Sequence, residues 1–351
     1  MTGPFAPAAF AIPGDITTLT GGYIYERRLL DELRAQGRPV RHIQLGGSFP
    51  APTPAHMADA VAQLQALGPG QALILDGLAF GSLDTAGLAG VRAPVVAMVH
   101  HPLALESGLS AVSVAHLFRT ERDNLALAQH VLVPSPHTAE LLSAEYGVPR
   151  DRITIARPGT DRPTGTQAPV TPPLILSVGI QHPRKGHDIL IAALTEISDL
   201  DWQAVIVGSP YDPEHAEALR AAVRTSGVSD RIRLAGRVDA ADLETFYEGS
   251  TIFALATRFE GYGIVFDEAL AHGLPIVSCH TGAVPDTVPP GTGLLVPPED
   301  PVALAKGLRQ VLSDNTARLH MSEAAARAGA ALPSWADTAQ VAGSVLDRVL
   351  E

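Results

Sequence analysis

The sequence is poor in cysteine and in lysine. Cys279 is the one cysteine among 351 residues, which excludes an internal disulfide and favours a reducing compartment, so we expect a cytoplasmic protein. Lys185 and Lys306 are the two lysines. The formal net charge of −12 disfavours nonspecific binding to nucleic acid, which depends mainly on Lys and Arg. We therefore expect no nucleic-acid partner.

The sequence also has no apolar run that approaches the roughly 18 residues of a transmembrane helix. Its first residues, MTGPFAPAAFAIPGD, lack the basic start of a secretion signal, and we expect them to lead into a buried strand. Residues 1–162 carry 12 basic and 14 acidic side chains, against 13 and 23 in residues 163–351. The first part therefore tolerates an anionic or membrane-surface partner better. Residues 109–122 combine apolar and Arg positions, which fits either peripheral contact at the inner membrane surface or a packed helix.

Short apolar runs alternate with helical patterns along the chain. This alternation predicts an α/β protein with two doubly wound, Rossmann-like domains built on parallel sheets. The predicted strands are PFAPAAFAI, VRHIQL, QALILDGL, APVVAMVH, HVLVPS and RITIAR, then PLILSVGI, WQAVIVGS, RIRLAGRV, TIFALAT, PIVSC and GLLVP. The proline-rich stretch PGTDRPTGTQAPVTPP separates the two sets.

The predicted boundaries are a first domain at 1–162, a linker at 163–173, a second domain at 174–333 and a terminal helix at 334–351 that crosses back to the first domain. Because ligands of doubly wound sheets bind beyond the carboxyl ends of the strands, we expect the two domains to face a central cleft that holds the site.

Two features of the first domain have the residue types of a binding site. Gly21 and Gly22 lie between the first predicted strand and helix, where they form either a tight turn or an approach of backbone amides to an anion. His100 and His101 end the apolar run VVAMVHH. A neutral imidazole at a strand end can accept a hydrogen bond from a substrate hydroxyl, or it can cap the strand.

The second domain has a basic pair and an acidic pair. Arg184 and Lys185 in SVGIQHPRKGHDIL precede a predicted helix, a placement that suits a diphosphate as well as an ordinary solvated surface. In RFEGYGIVFDEALAHG, Glu260 precedes and Glu268 lies within a predicted helix. Carboxylates repel phosphate but accept hydrogen bonds from sugar hydroxyls, whereas the free amides of a helix start bind phosphate. A glutamate stabilised by the helix dipole explains Glu268 but not the whole pattern.

Taken in order, these motifs resemble those of the family 4 retaining glycosyltransferases, which have the GT-B fold, along nearly the whole chain. The segments that carry the resemblance are TGGYIYERRL, VVAMVHHP, TIARPGTD, SVGIQHPRKG, VIVGS, IRLAGRV, RFEGYGIVFDEALAHGLPIV, TGAVPDTVPPGTGLLVPPEDPVALA and the helix that begins with SW. The two glutamates separated by seven residues are the most specific of these elements.

The resemblance implies a hexosyltransferase that uses a nucleotide-sugar donor, bound mainly to the second domain, and an acceptor held by the first. The implied catalytic residues are His100, Glu260, Arg184 and Lys185. Those implied to bind the donor are Gly21, Gly22, Gly179, Arg184, Lys185, Gly208, Arg237, Val238, Glu260, Gly261, Tyr262, Gly263, Ile264 and Glu268, with His101 and Tyr23 as candidates on the acceptor side.

Within this set, the resemblance assigns the ribose hydroxyls to Glu268, the hydroxyls of the transferred sugar to Glu260 and the diphosphate to Arg184 and Lys185. His100 aligns better than His101 with the family's active-site histidine, and the choice between the two stays open. The family's retaining mechanism is attributed to attack of the acceptor on the face that the diphosphate leaves. It requires no enzymic nucleophile, and we expect no metal and no other cofactor.

The sequence departs from the family pattern at a few positions. Ile180 stands where Arg is common, Pro158–Gly159 replaces the usual Asn-Gly, and Asp286 replaces Glu. Because Ile180 replaces that arginine and Arg184 stands beside Lys185, the individual roles of the two cations stay open.

Other classes of protein fit the motifs less well. A Rossmann-type enzyme that modifies sugar nucleotides would have GxGxxG or YxxxK, and neither is present. The triplet that begins at Asp199 and ends at Asp201 precedes a strand, and we expect no metal there. A noncatalytic protein that binds sugar nucleotides is the other alternative. The donor (UDP- or GDP-linked), the acceptor (a glycan, a glycolipid or a soluble molecule), the linkage and the oligomeric state stay open, with a glycan or glycolipid favoured.

Overall fold

The computed structural model describes residues 5–351, which form two compact units. Unit 1 comprises the chain up to Gly159 together with Pro333–Glu351, and unit 2 comprises Thr160–Leu332. Each unit contains one six-stranded sheet in which every pair of neighbouring strands is parallel. The predicted α/β class with two doubly wound units is therefore confirmed. The first predicted strand begins at Pro4, which lies outside the described residues.

The sheet of unit 1 has the strand order β2-β1-β3-β4-β5-β6. Its strands are β1 (Ala8–Pro13), β2 (Val40–Leu45), β3 (Ala72–Asp76), β4 (Val95–Met98), β5 (His130–Val133) and β6 (Ile153–Ile155). Strands β1, β3, β4 and β5 are buried along their whole length. Such continuous apolar strands are typical of a parallel sheet that is covered on both faces.

Within the described part of the chain, six helices of unit 1 lie between its strands. They are α1 (Gly21–Ala35), α2 (Pro54–Gln65), α3 (Gly77–Phe80), α4 (Thr85–Ala89), α5 (Ala111–Leu127) and α6 (Pro136–Tyr146). The terminal helix (Trp335–Arg348) also belongs to this unit. The prediction that QALILDGL is a strand to its end is wrong for its last two residues. The Asp76 carboxylate accepts hydrogen bonds from the amides of Leu78 and Ala79, which ends β3 and starts α3.

The terminal helix packs against α1 within unit 1. Ser334 and Asp337 form a capping box at its start. Arg38 donates hydrogen bonds to the Gly343 carbonyl, at 3.2 Å, and to the Asp347 carboxylate, at 3.0 Å. These contacts join the last residues of the chain to the first α/β unit.

The sheet of unit 2 has the strand order β12-β11-β10-β7-β8-β9. Its strands are β7 (Leu174–Val178), β8 (Gln203–Val207), β9 (Ile232–Gly236), β10 (Ile252–Leu255), β11 (Ile276–Cys279) and β12 (Gly293–Val296). Its helices are α7 (His187–Thr195), α8 (Pro213–Thr225), α9 (Ala240–Gly249), α10 (Ile264–Ala271), α11 (Val284–Thr287), α12 (Pro301–Ser313) and α13 (Asn315–Ala330).

The proline-rich residues 163–173 contain neither helix nor strand and belong to unit 2. They run along α9, where Thr164 donates to the Glu244 carboxylate and the amide of Val170 donates to the Gly249 carbonyl, at 2.9 and 3.0 Å.

No helix within residues 5–351 is long and apolar enough to span a bilayer. Most of residues 109–122 belong to α5, on which Leu117 is buried and Val112 is 80% exposed.

Candidate active site

Glu260 is the centre of a buried charge cluster in unit 2. Its Oε1 accepts hydrogen bonds from Lys185 Nζ at 2.6 Å and from the Thr257 hydroxyl at 2.9 Å. Arg184 Nη1 lies 3.5 Å from its Oε2. Burial alone would raise the pKa of Glu260, but Lys185, Arg184 and the hydrogen bonds outweigh burial and hold it below its ordinary value. Glu260 is therefore an ionised carboxylate at neutral pH.

Two loops that follow adjacent strands bring this cluster together. Arg184 and Lys185 lie in the turn after β7, and Glu260 lies in the loop after β10, the strand that pairs with β7. Arg184 also donates to the Phe259 carbonyl at 2.9 Å, which ties the two loops to each other. Gly282 has a positive φ of 52°, and a Cβ at this position would overlap the backbone of Glu260. The absence of a side chain at Gly282 therefore allows its backbone to lie directly against that of Glu260.

The same edge of the sheet presents the start of α10. Gly263 is the residue before the helix and has a φ of 89°, a conformation that glycine adopts without strain. The helix that follows supplies free amides and the positive end of its dipole. Two cations and one carboxylate leave this cluster with one positive charge, which adds to the dipole. The arrangement is suited to a phosphate group beside a neutral hydroxylated group.

The other members of the predicted segment are placed around this helix start. Gly261 is buried, and Ile264 begins α10. Tyr262 is 6% exposed, and its hydroxyl donates to the Asp267 carboxylate at 2.5 Å. The Tyr262 hydroxyl thus contacts the interior of unit 2, which limits its part in ligand binding to its backbone or ring.

Glu268 lies on α10 and is half-buried. Its Oε2 accepts a hydrogen bond from the Tyr247 hydroxyl at 2.7 Å. Burial raises the pKa of Glu268 above its ordinary value, although the hydrogen bond from Tyr247 acts in the opposite direction. The ring of Tyr247 stacks on His272 with centroids 4.7 Å apart, and His272 lies 3.3 Å from the Glu244 carboxylate. Sequence reasoning found Glu268 but not the tyrosine that orients it.

Four further predicted positions follow strands β7, β8 and β9. Gly179 and Gly208 follow β7 and β8, and their backbones approach so closely that a Cβ at Gly208 would overlap the Gly179 carbonyl. Arg237 is exposed and Val238 is half-buried, and both follow β9. All these residues lie at the carboxyl edge of the parallel sheet, the edge where ligands of doubly wound folds bind.

In unit 1, the structure brings the predicted glycines to the predicted histidine. Gly21 and Gly22 are the first residues of α1. A Cβ at Gly22 would lie 3.5 Å from Cδ2 of His100, so the helix start faces the imidazole closely. Tyr23 donates its hydroxyl to the Pro13 carbonyl at 2.8 Å. His101 Nε2 instead lies 3.3 Å from Oε2 of Glu106. Of the two histidines, His100 is therefore the one that shares a site with the glycines.

Two acidic residues that sequence reasoning missed lie beside His100. Glu26 Oε1 is 3.4 Å from His100 Nε2, and Asp76 completes a group whose ligand atoms lie within 4.8 Å of one another. The signal was present, since Asp76 ends a buried strand and Glu26 is four residues after Gly22, on the same helix face. Among residues 5–351, this is the group whose donor atoms could hold a metal ion. Burial raises the pKa of Asp76, and the charge of Glu26 and a hydrogen bond with it add to this effect.

Comparison with known proteins supports a single family. The family model described as "Glycosyl transferases group 1" matches residues 162–328, and that described as "Glycosyltransferase Family 4" matches residues 25–162. The chain belongs to the group 1 glycosyltransferases and has their GT-B fold. The predicted family is thus confirmed.

Curated relatives include D-inositol 3-phosphate glycosyltransferases. That of Xylanimonas cellulosilytica is 29% identical over 62% of this chain and 57% of its own length. A GDP-mannose-dependent monoacylated alpha-(1-6)-phosphatidylinositol monomannoside mannosyltransferase of Corynebacterium glutamicum is 32% identical over 52% of this chain and 48% of its own length. The chain spans about half the length of the curated relatives it matches.

Solved structures share the fold over nearly the whole chain. Sucrose-phosphate synthase from Thermosynechococcus elongatus superposes with a TM-score of 0.81 at 22% identity, covering 98% of both chains. The Anabaena protein HepE, solved in complex with UDP and glucose, superposes with a TM-score of 0.76 at 15% identity, covering 97% of this chain and 99% of its own. At these low sequence identities, the similarity to the two structures shows a shared fold and nothing more.

Proposed function

We propose that this protein is a retaining glycosyltransferase that transfers a hexosyl unit from a UDP- or GDP-linked sugar to a glycan or glycolipid acceptor without a metal ion. The observation that carries the proposal is the cluster around Glu260. Two cations, one buried carboxylate and a helix start meet at the ligand-binding edge of unit 2. The family membership and the nucleotide named for HepE support the same conclusion.

The groups of unit 2 divide the donor between them. Arg184, Lys185 and the amides at the start of α10 bind the diphosphate, because its charge requires a positive field. Glu260, ionised and fixed by Lys185, accepts hydrogen bonds from hydroxyls of the transferred sugar. Glu268 accepts hydrogen bonds from the ribose hydroxyls, and the hydrogen bond from Tyr247 fixes the orientation of the Glu268 carboxylate. Each acid therefore binds a hydroxylated group.

In the proposed reaction, the bond between the anomeric carbon and the diphosphate oxygen breaks as the acceptor oxygen bonds to the same face of that carbon. The proton of the acceptor hydroxyl leaves with the diphosphate. Arg184, Lys185 and the helix amides stabilise the negative charge that develops on the leaving group. Unit 1 binds the acceptor, and its neutral His100 accepts a hydrogen bond from a substrate hydroxyl. A metal ion has no required part in this scheme.

A thermal-shift panel of UDP-glucose, UDP-glucuronate and GDP-mannose, each with and without EDTA, tests the donor. A ligand that binds the folded state stabilises it by mass action, so the correct donor raises the unfolding temperature and EDTA leaves that rise unchanged. Glu268→Ala should abolish the rise, whereas Glu217→Ala, on the exposed face of α8, should keep it. Equal donor affinity of wild type and Glu268→Ala in calorimetry would contradict the ribose assignment.

The acceptor has a second candidate, because the relatives named above include enzymes for D-inositol 3-phosphate. A polyol or sugar phosphate is therefore the soluble alternative to a glycan or glycolipid. Incubation of the identified donor with inositol phosphate, with an oligosaccharide and with lipid vesicles separates these acceptors by the product that forms. A glycolipid acceptor would also require peripheral contact with the membrane surface, and we assign that contact to unit 1. Co-sedimentation with vesicles measures it.

A further inference from the structure

Three polar side chains from three segments of unit 1 meet, and the proposed reaction uses only one of them. Glu26 lies on α1 and is 1% exposed, and Asp76 ends β3 and is 3% exposed. His100 follows β4, and its side chain is 22% exposed. The two acids are thus enclosed, and the imidazole is the member of the group that solvent or a ligand reaches.

The three side chains lie close together. His100 Nε2 lies 3.4 Å from Glu26 Oε1, and ligand atoms of Glu26, Asp76 and His100 lie within 4.8 Å of one another. The pKa values of the two acids reflect a side-chain hydrogen bond between them. Asp76 Oδ1 accepts from the amides of Leu78 at 2.9 Å and Ala79 at 3.2 Å. Two ionised carboxylates offer only acceptors, so a hydrogen bond between them requires one shared proton.

The surroundings place that proton on Asp76. Burial raises the pKa of Asp76 well above its ordinary value, and the charge of Glu26 adds to this effect. Burial raises the pKa of Glu26 to about 7, while the hydrogen bond with Asp76 lowers it. Asp76 therefore carries the proton and donates it to Glu26, the acid of the pair that ionises first.

The imidazole is neutral in this environment. Burial lowers the pKa of His100 below its ordinary value. A neutral imidazole has one N–H, and the hydrogen bond at one nitrogen decides which nitrogen carries it. A carboxylate beside Nε2 requires a donor there.

The ring is also held by packing. Tyr25 contacts it edge to face with centroids 5.3 Å apart, and the Tyr25 hydroxyl donates to the Ala156 carbonyl at 2.8 Å. Trp335 of the terminal helix in turn contacts the Tyr25 ring edge to face, with centroids 5.8 Å apart. These contacts limit rotation of the imidazole, so its hydrogen bond to Glu26 is directional.

We propose that Glu26 is a positioning residue for His100: its carboxylate accepts the Nε2–H and leaves Nδ1 as the nitrogen that accepts a hydrogen bond from a substrate hydroxyl. This inference rests on the proposed function for the role of His100 in turnover. The tautomer itself is a property of the free protein and can be measured without substrate.

The first experiment measures the tautomer by long-range proton–nitrogen NMR of protein labelled with 15N-histidine, with the His100 signals assigned by their loss in His100→Gln. Because burial raises the pKa of Glu26 to about 7, the spectra are recorded above that pH, where Glu26 is ionised, and the proposal then requires the proton on Nε2 in wild type. A proton on Nδ1, or an equal mixture, overturns it. Because this readout needs no activity, it still tests the proposal if no nucleotide sugar proves to be a substrate, a result that would instead contradict the proposed function.

Two variants then test which of the two acids sets the tautomer of His100. Asp76→Asn should keep the Nε2–H tautomer, because its amide donates to Glu26 as the protonated carboxyl does. Glu26→Gln should reduce the Nε2–H population and lower kcat roughly ten- to hundredfold, with donor affinity unchanged, because a charged hydrogen bond is lost. Loss of the Nε2–H tautomer in Asp76→Asn together with its retention in Glu26→Gln overturns the proposal. An unchanged tautomer in Glu26→Gln also overturns it. If Glu26→Gln does not fold, the tautomers of wild type and Asp76→Asn decide.

Glu121→Gln is the matched control. Glu121 is a fully buried carboxyl group of the same unit, and its Oε2 accepts from the Leu103 amide at 3.0 Å rather than from the His100 ring. This variant should leave both the His100 tautomer and kcat as in wild type. An equal effect of Glu121→Gln and Glu26→Gln would mean that any buried carboxyl group of the unit acts on His100, which overturns the positioning role.

Discussion

The ion pair of Lys185 and Glu260 predicts a specific pattern of stability. The two side chains are 13% and 5% exposed, and their charged atoms are 2.6 Å apart. Removal of one partner from a buried pair costs about 3–5 kcal/mol, since it leaves a charge without compensation. Arg184 stays near Glu260, so Lys185→Met should cost about 3 kcal/mol, at the lower end of that range.

The double variant shows whether Lys185→Met loses stability because Glu260 is left as an uncompensated buried charge or because side-chain packing is lost. In Lys185→Met/Glu260→Gln, no carboxylate is left without its cation, so the double variant should be more stable than Lys185→Met alone. Unfolding in urea can be followed in a Trp335→Phe background, because Trp202 is then the one tryptophan and reports on unit 2. Lys306→Met, at the exposed lysine on α12, serves as the control and should change stability by less than about 0.5 kcal/mol.

Two results would refute this reasoning. The first is a Lys185→Met variant that is as stable as the Lys306→Met control in the same assay, which would mean that the pair is effectively solvated. Alternatively, the double variant could lose the sum of the two single losses, which would mean that the residues contribute independently.

Three other predictions concern single side chains. Glu260→Gln should bind the nucleoside diphosphate of the identified donor at least as tightly as wild type but the complete nucleotide sugar more weakly, and equal losses for both ligands in calorimetry would contradict the sugar assignment. Tyr247→Phe should weaken donor binding by roughly 1 kcal/mol, because Glu268 loses its hydroxyl donor, and an unchanged Kd would show that Tyr247 does not orient the acid. Glu121→Gln should change the pH dependence of stability, because burial raises the pKa of Glu121 from 4.5 to about 8. Wild type therefore loses stability as pH rises from 4.5 to 8, and the variant's advantage in unfolding free energy should grow over that range by up to roughly 5 kcal/mol. Parallel stability curves for the two proteins would show that Glu121 titrates normally.

Much of the fold could be predicted from local patterns. Continuous apolar runs separated by helical periodicity identify parallel strands, because both faces of such a sheet are covered. The start of α10 at Ile264 follows from the glycines before it. In contrast, α13 has little apolar periodicity over its 16 residues, so its sequence pattern does not predict a helix. The last residues of the third predicted strand form α3 because the Asp76 side chain caps that helix, an interaction that a hydrophobic pattern does not show.

The site was harder to predict, because its decisive contacts join distant residues. Arg184 and Lys185 were assigned to a diphosphate, but the structure also pairs them with Glu260, 75 residues after Lys185. Glu26 and His100 are 74 residues apart. Strand ends of a parallel sheet are expected to meet at one edge, but which residue of a following helix faces a given strand depends on helix rotation and packing. Sequence reasoning therefore found the histidine and not the acid beside it.

The central claim is that the chain transfers a sugar from a nucleotide sugar with retention and without metal. The most direct measurement is proton NMR of a reaction that contains the identified donor, its acceptor and EDTA. We expect release of the nucleoside diphosphate, a product with the anomeric configuration of the donor, and a much lower rate in His100→Ala with donor affinity mostly kept. A product of inverted configuration, or turnover that stops in EDTA and returns with a divalent cation, would contradict it.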